Sequence, residues 1–136
     1  MRPGSGTDVA PLCDVVQIIV KMTIIPRHAA EVIRAFRSLR QSMQCVEGLI
    51  SSHLFLDAEA PDSICYVEEW KSTQDLAKDI VAAHFTRMFG LMEKSEQVPV
   101  LCVNSVSSTR GIEYLSSLLR PRRLHSGSEG NQEAST

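Results

Sequence analysis

Between Asp14 and Ile24 the chain alternates, and the two faces of that alternation differ. Val16, Ile18, Val20, Met22 and Ile24 share one face and are all apolar. Val15, Gln17, Ile19, Lys21 and Thr23 share the other, which is mixed. A period of two with this many β-branched residues reads as a strand. One of its faces has to be buried under other elements, and the other is too apolar to be left wholly to water. The chain is therefore expected to build a sheet with unequal faces.

The segments that follow supply what covers it. Pro26 stands where a first helical turn begins, a position its fixed φ favours. From Ala30 onward Val32, Phe36, Leu39 and Met43 fall on one helical face, with Glu31, Arg34, Arg37, Ser38 and Arg40 opposite, which is an amphipathic helix. Gly48 closes this region. Leu49 to Leu56 reads as a second strand, Asp57 to Asp62 as a polar turn around Pro61, and Ile64 to Trp70 as a third strand. Their closeness in sequence favours an antiparallel hairpin. Ser72 or Thr73 is placed to cap a second helical region, with Asp75 in its first turn. That region runs through Leu76, Ile80 and Val81 and is read as restarting near His84, where Phe85, Met88, Phe89 and Met92 form a stripe. Pro99 stands at the start of a last strand, Val98 to Val106. The order β-α-β-β-α-β is the ferredoxin-like split βαβ of the α+β class, with helices on one face of an antiparallel sheet. The uncovered face carries Val15, Ile19, Cys65 and Val67, and a second copy of the sheet is its simplest cover, so a homodimer is expected.

The 136 residues fit one domain. Residues 1–12 are read as a flexible N-terminal segment, 13–107 as the domain, and 108–136 as a short helix and tail. Ile112, Leu115, Leu118 and Leu119 suit a helix packed on the domain or its partner. Arg120, Pro121, Arg122 and Arg123 begin a basic patch, read as solvated, and the Ser/Gly/Glu-rich stretch Ser126 to Thr136 is read as disordered. A formal net charge of -2 gives no basic field for a phosphate backbone, so no nucleic-acid partner is expected. The longest apolar stretch, Val15 to Val20, is broken by Gln17 and too short to cross a membrane, and no apolar leader precedes it. Cys13, Cys45, Cys65 and Cys102 form no C-x-x-C pair; they are read as reduced thiols acting as small apolar side chains. A reducing, cytoplasmic location follows as the expectation.

Tyr66, Glu68 and Trp70 alternate on the third strand and so point to one face. Trp70 is the only tryptophan. If that face lies under the helices, it lines a cavity together with Phe85, Met88, Phe89 and Met92, and His84 points at the same space. A carboxylate among apolar neighbours should have a raised pKa. Each residue also has a plain structural role: Trp70 as a core anchor, Glu68 as a structural carboxylate or a partner of Arg87, His84 as a helix cap, and His53 at the dimer interface or in solvent.

The first strand, a helix after Pro26, Gly48 before the second strand, Glu68-x-Trp70 and then His84-Phe85 make an ordered set. It resembles the antibiotic biosynthesis monooxygenase domain, over about Asp14 to Val106. The resemblance implies a dimeric α+β barrel with a pocket between sheet and helices. Members of that family include cofactor-free oxygenases of quinols or polycyclic phenols, haem-degrading enzymes and isomerases. Many carry a second histidine nine positions after the tryptophan, which binds iron in the haem-degrading relatives. Here that position is Asp79, which argues against haem. The first strand also lacks a clear asparagine, with Gln17 the nearest polar residue.

What the resemblance implies is a cofactor-independent monooxygenase acting on a small aromatic or quinol-like substrate, without metal or flavin. Such chemistry needs a base, a site for the anion and exclusion of water. The candidate catalytic residues are His84, Glu68 and His53; the candidate substrate contacts are Trp70, Tyr66, Phe85, Arg87 and Met88. Arg87, one turn after His84, is placed to hold an anion or to pair with Glu68. The alternative is a non-catalytic dimeric module that binds a small ligand or a protein.

Overall fold

The strand that opens the pattern becomes an inner strand. The structure, a computed structural model, describes residues 14–119. β1 (Val15–Thr23) lies between β3 (Ala60–Trp70) and β4 (Val100–Val106), and β2 (Leu49–Asp57) closes the other edge of β3. The sheet order is β2-β3-β1-β4, with every pairing antiparallel. α1 (Ala29–Ser42), entered through a 3-10 turn at Pro26–His28, connects β1 to β2. α2 (Asp79–Met92) follows a 3-10 turn at Gln74–Ala77 and connects β3 to β4, and α3 (Ile112–Leu118) comes last. This is the ferredoxin-like α+β arrangement. The N-terminal segment 1–12, Cys13, and the basic and Ser/Gly/Glu-rich tail from Arg120 onward lie outside the described residues.

The core forms where the periods of sheet and helix meet. Val16, Ile18, Val20, Met22 and Ile24 are all buried, with Ile64, Tyr66 and Trp70 beside them. α1 contributes Val32, Phe36 and Leu39, and α2 contributes Val81 and Met88. Leu101 and Val103 pair with Val20 and Ile18 on that same face, yet remain 37% and 58% exposed, because the helices do not extend over β4.

Several boundaries differ from the sequence reading. The polar stretch after Asp57 is not a long turn. Asp57 already pairs with Ala60, the Asp57 carboxylate accepts the Glu59 N–H at 2.9 Å, and Pro61 sits within β3. An aspartate closing on the amide two residues ahead replaces the longer turn that proline suggested. α2 starts at Asp79 rather than near His84, after Lys78 breaks the path with an extended ψ of 148°. β4 begins at Val100, past Pro99, which cannot donate to the ladder. None of α3 is buried, so it does not pack on its own domain. Cys45, Cys65 and Cys102 are free thiols, but Cys45 and Cys102 are exposed, so they are not core fillers. No helix among the described residues is long and apolar enough to cross a membrane.

Gly48 makes the turn into β2 at φ 97°, and its carbonyl accepts the Lys71 N–H at 2.8 Å. A Cβ added there would lie 2.4 Å from the carboxyl carbon of Asp75. Backbone strain alone costs on the order of 1–3 kcal/mol. Gly48→Ala is therefore expected to lower the urea midpoint clearly. In an Asp75→Gly background the penalty should shrink to the strain component; an equal penalty in both backgrounds would exclude the clash as a contributor.

Candidate functional site

Glu68 sits on β3 between two aromatic residues of the same face, and all three are covered by the helices. Tyr66 and Trp70 are 1% and 0% exposed, and Glu68 itself is 0% exposed. The spacing of two along the strand brings both polar tips back onto the central carboxylate. The Tyr66 hydroxyl donates to Oε2 of Glu68 at 2.6 Å, and the Trp70 indole N–H donates to Oε1 at 3.0 Å.

The third donor comes from α2. Val81, His84 and Met88 form its buried stripe, so His84 occupies a core position in the helix interior rather than capping an end. Its Nε2 donates to Oε2 of Glu68 and completes a set of three. His84 Nδ1 is buried as well and has no hydrogen-bond partner among the described residues. Phe85, half-buried, packs 5.5 Å from the His84 ring and 6.3 Å from Trp70 between ring centroids.

These contacts reverse one electrostatic expectation. Burial pushes the Glu68 pKa up, but the hydrogen bond from His84, with those from Tyr66 and Trp70, brings it below the ordinary carboxylate value. Glu68 is held as an anion. Burial, then the Glu68 charge, pushes the Tyr66 phenol far above its ordinary value, which keeps it a donor.

The remaining candidates lie elsewhere. Arg87 is exposed and donates to Ser42 Oγ at 3.5 Å, so it does not pair with Glu68. Phe89 is 50% exposed and turns away from the cluster. Met88 is core, and Met92 packs at its margin. His53 is exposed and pairs with Val67, on the sheet face opposite Glu68, so it shares no site with His84. Asp79 is the exposed first residue of α2, where its charge suits the helix dipole.

The anticipated cavity beside Trp70 is filled by these side chains. None of the four clefts described on this surface is lined by Glu68, Trp70 or His84. One of them, about 440 Å³, lies between α1 and the edge of β2 and has Arg37, Arg40, Ser51, Ser52 and His53 in its lining. The sequence places these arginines on the solvent side of a helix, and their i, i+3 spacing is the signal that sets them side by side.

A β-α-β-β-α-β sheet with a buried Glu-x-Trp clamped by a helix histidine defines a small α+β domain of the ferredoxin-like type. The family model for "Antibiotic biosynthesis monooxygenase" matches residues 15–88, and the chain belongs to that family. Solved structures with the same fold include a conserved protein from Methanosarcina mazei Go1. It is 21% identical with a TM-score of 0.61, over 71% of this chain and 96% of that one. An antibiotic biosynthesis monooxygenase is 21% identical with a TM-score of 0.57, over 71% and 99%. A conserved protein from Bacteroides thetaiotaomicron VPI-5482, named a possible oxidoreductase, is 19% identical with a TM-score of 0.59, over 68% and 98%. No curated protein matches the sequence significantly.

Proposed function

We propose that this protein is a cofactor-independent monooxygenase of a small aromatic or quinol-like substrate, with His84 as the base and Glu68 as the group that orients it. The observation that carries the reading is His84 itself. One ring nitrogen is tied to a buried carboxylate, and the other is buried with no partner among the described residues. An unpaired buried polar atom costs about 1–3 kcal/mol, and such atoms call for an explanation such as a catalytic role. A carboxylate-oriented imidazole with one free nitrogen is the arrangement that accepts a proton.

On an anthrone-like phenol the step balances without a further reductant. The substrate loses a proton to Nδ1, and the resulting anion passes an electron to dioxygen. Recombination joins dioxygen to the carbon as a peroxide. Loss of the second proton from that carbon breaks the O–O bond, leaving the carbonyl oxygen, and the outer oxygen departs with the two protons as water. Substrate has to reach Nδ1 by displacing a side chain, and Phe85 packs against both His84 and Trp70. Tyr66, Trp70, Phe85 and Met88 would surround it; Arg87, outside the cluster, would act only at the entrance.

A second reading has its own support: a non-catalytic dimeric module for a small ligand or a protein. Glu68, Tyr66, Trp70 and His84 are 0–1% exposed, which is how structural side chains pack. Oxygen uptake with a panel of quinols and anthrone-like phenols separates the two. The oxygenase reading expects uptake above the spontaneous rate that falls at least tenfold in His84→Asn. Uptake equal to the spontaneous rate for both proteins would leave the module.

Either reading includes a homodimer formed through the sheet face that no helix covers. Rows Cys102–Ile19–Val67–His53 and Val100–Lys21–Cys65–Phe55 run across that face. Support comes from this mixed, partly apolar surface and from the exposed apolar residues of β4 and α3.

A further inference from the structure

We propose that the cleft between α1 and the β2 edge binds a small organic carboxylate with an apolar body, gripped by Arg37 and Arg40. The two arginines stand one turn apart on α1 and share the cleft with Gln44, Ile50, Ser52 and His53. Among the described residues neither guanidinium has a carboxylate within 4.0 Å. Arg40 is half-buried, and its Nε donates to Ser52 Oγ at 3.2 Å. That bond fixes the plane of the guanidinium and leaves its two terminal nitrogens without a described partner. A partly desolvated cation that is oriented but unpaired is half of an ion pair.

The missing half follows from the geometry. A planar fork accepts a carboxylate with two parallel hydrogen bonds, which a point charge cannot match. Leu49 lines the cleft, and Ile50, 48% exposed, sits at the register shift between Leu49 and Ser51, so the cleft offers an apolar wall beside the cations. A volume of about 440 Å³ lies in the range of small-ligand sites. The one carboxylate bonded to this strand segment does not compete. Glu69 accepts from Ser51 at 3.5 Å and from Gln17 at 3.3 Å on the open sheet face, and it does not line the cleft. The cleft adjoins the His84 cluster through Ser52, which pairs with Glu68 and hydrogen-bonds Tyr66, but Glu68 and His84 do not line it, so its failure would leave the oxygenase reading untouched.

The test is a titration of the nitrogen-15-labelled full chain with sodium benzoate at constant ionic strength, with inorganic phosphate and benzyl alcohol in parallel. Benzoate is expected to give saturable shifts at the Arg40 Nε–H and at the Ile50, Ser52 and His53 amides. Arg37→Gln/Arg40→Gln should bind at least tenfold more weakly. Arg40→Lys, which keeps the charge but not the fork, should be weaker several-fold. Should the double variant not fold, the exposed Arg37→Gln alone carries the comparison. Shifts that never saturate, or that centre on Arg87 and Lys94, would overturn the site. Equal binding of phosphate or benzyl alcohol would overturn the carboxylate with an apolar body.

Discussion

Glu68→Ala is expected to destabilise the protein by about 3–5 kcal/mol, since each buried donor left without an acceptor costs about 1–3 kcal/mol. Three donors converge on this carboxylate, and of them only Tyr66 has another hydroxyl, that of Ser52, beside it. Truncation leaves the Trp70 indole N–H and His84 Nε2 buried and unpaired, leaves the Tyr66 hydroxyl with Ser52 alone, and opens a void beside them. Glu68→Gln separates these effects. It keeps the volume and one oxygen, but its amide nitrogen meets a donor, so a smaller loss of about 1–3 kcal/mol is expected. Urea denaturation measures both. A Glu68→Ala variant within about 0.5 kcal/mol of the wild type, the range of an ordinary surface change, would show that the three donors find water or other partners.

The same cluster sets a pH dependence, and its sign follows from the direction of the shift. The folded pKa of Glu68 lies below the ordinary glutamate value of 4.5. The unfolded chain takes up the proton first on acidification. The contribution of Glu68 is full above 4.5 and is lost as pH falls through the lower folded value. Glu68→Gln should remove that part of the acid limb, so the wild-type and variant curves converge toward low pH. Tyr66 acts at the other end. Its phenol is raised above the ordinary 10.0, so its contribution is present below that pH and is lost as pH rises through the folded value.

How much of this was readable without coordinates depends on range. The strand period placed Tyr66, Glu68 and Trp70 on one covered face, because alternation is a local property of the chain. The helical stripe put apolar α1 residues in the core for the same reason. The charge state of Glu68 was misread because burial can be inferred from a pattern, while the partners that oppose it come from another element. His84 reaches Glu68 only because α2 starts at Asp79 and turns that residue inward. The start was masked by a helical region in two pieces, whose first piece is a 3-10 turn held by Ser72 and Asp75. The Arg37–Arg40 cleft was invisible for a related reason. A helix wheel separates polar from apolar faces, but it does not say which strand edge a polar face will meet.

The open sheet face leads to the second large effect: Ile19→Asp is expected to convert a wild-type dimer into a monomer that keeps its fold. Ile19 lies in the middle row of that face, between Cys102 and Val67. It is on the side away from α1 and α2, so the core should not register the change. In a two-fold interface each substitution appears twice, and the paired charges lose water together. The area involved shows what else has to contribute. Four strands over seven paired positions present a projected face of roughly 450 Å². A stable interface buries about 800 Å² on each partner. The sheet alone, β4 included, falls short, so α3 must supply the difference. Ile112, Leu115 and Leu118 of α3 are 74%, 60% and 52% exposed and make no core contact of their own. Leu115→Lys should therefore weaken the dimer without abolishing it, and less than Ile19→Asp does. Light scattering after gel filtration reads both variants, with circular dichroism to confirm folding. A wild-type chain that is monomeric at tens of micromolar, or an Ile19→Asp protein that stays dimeric, would show that this face is not where two copies meet.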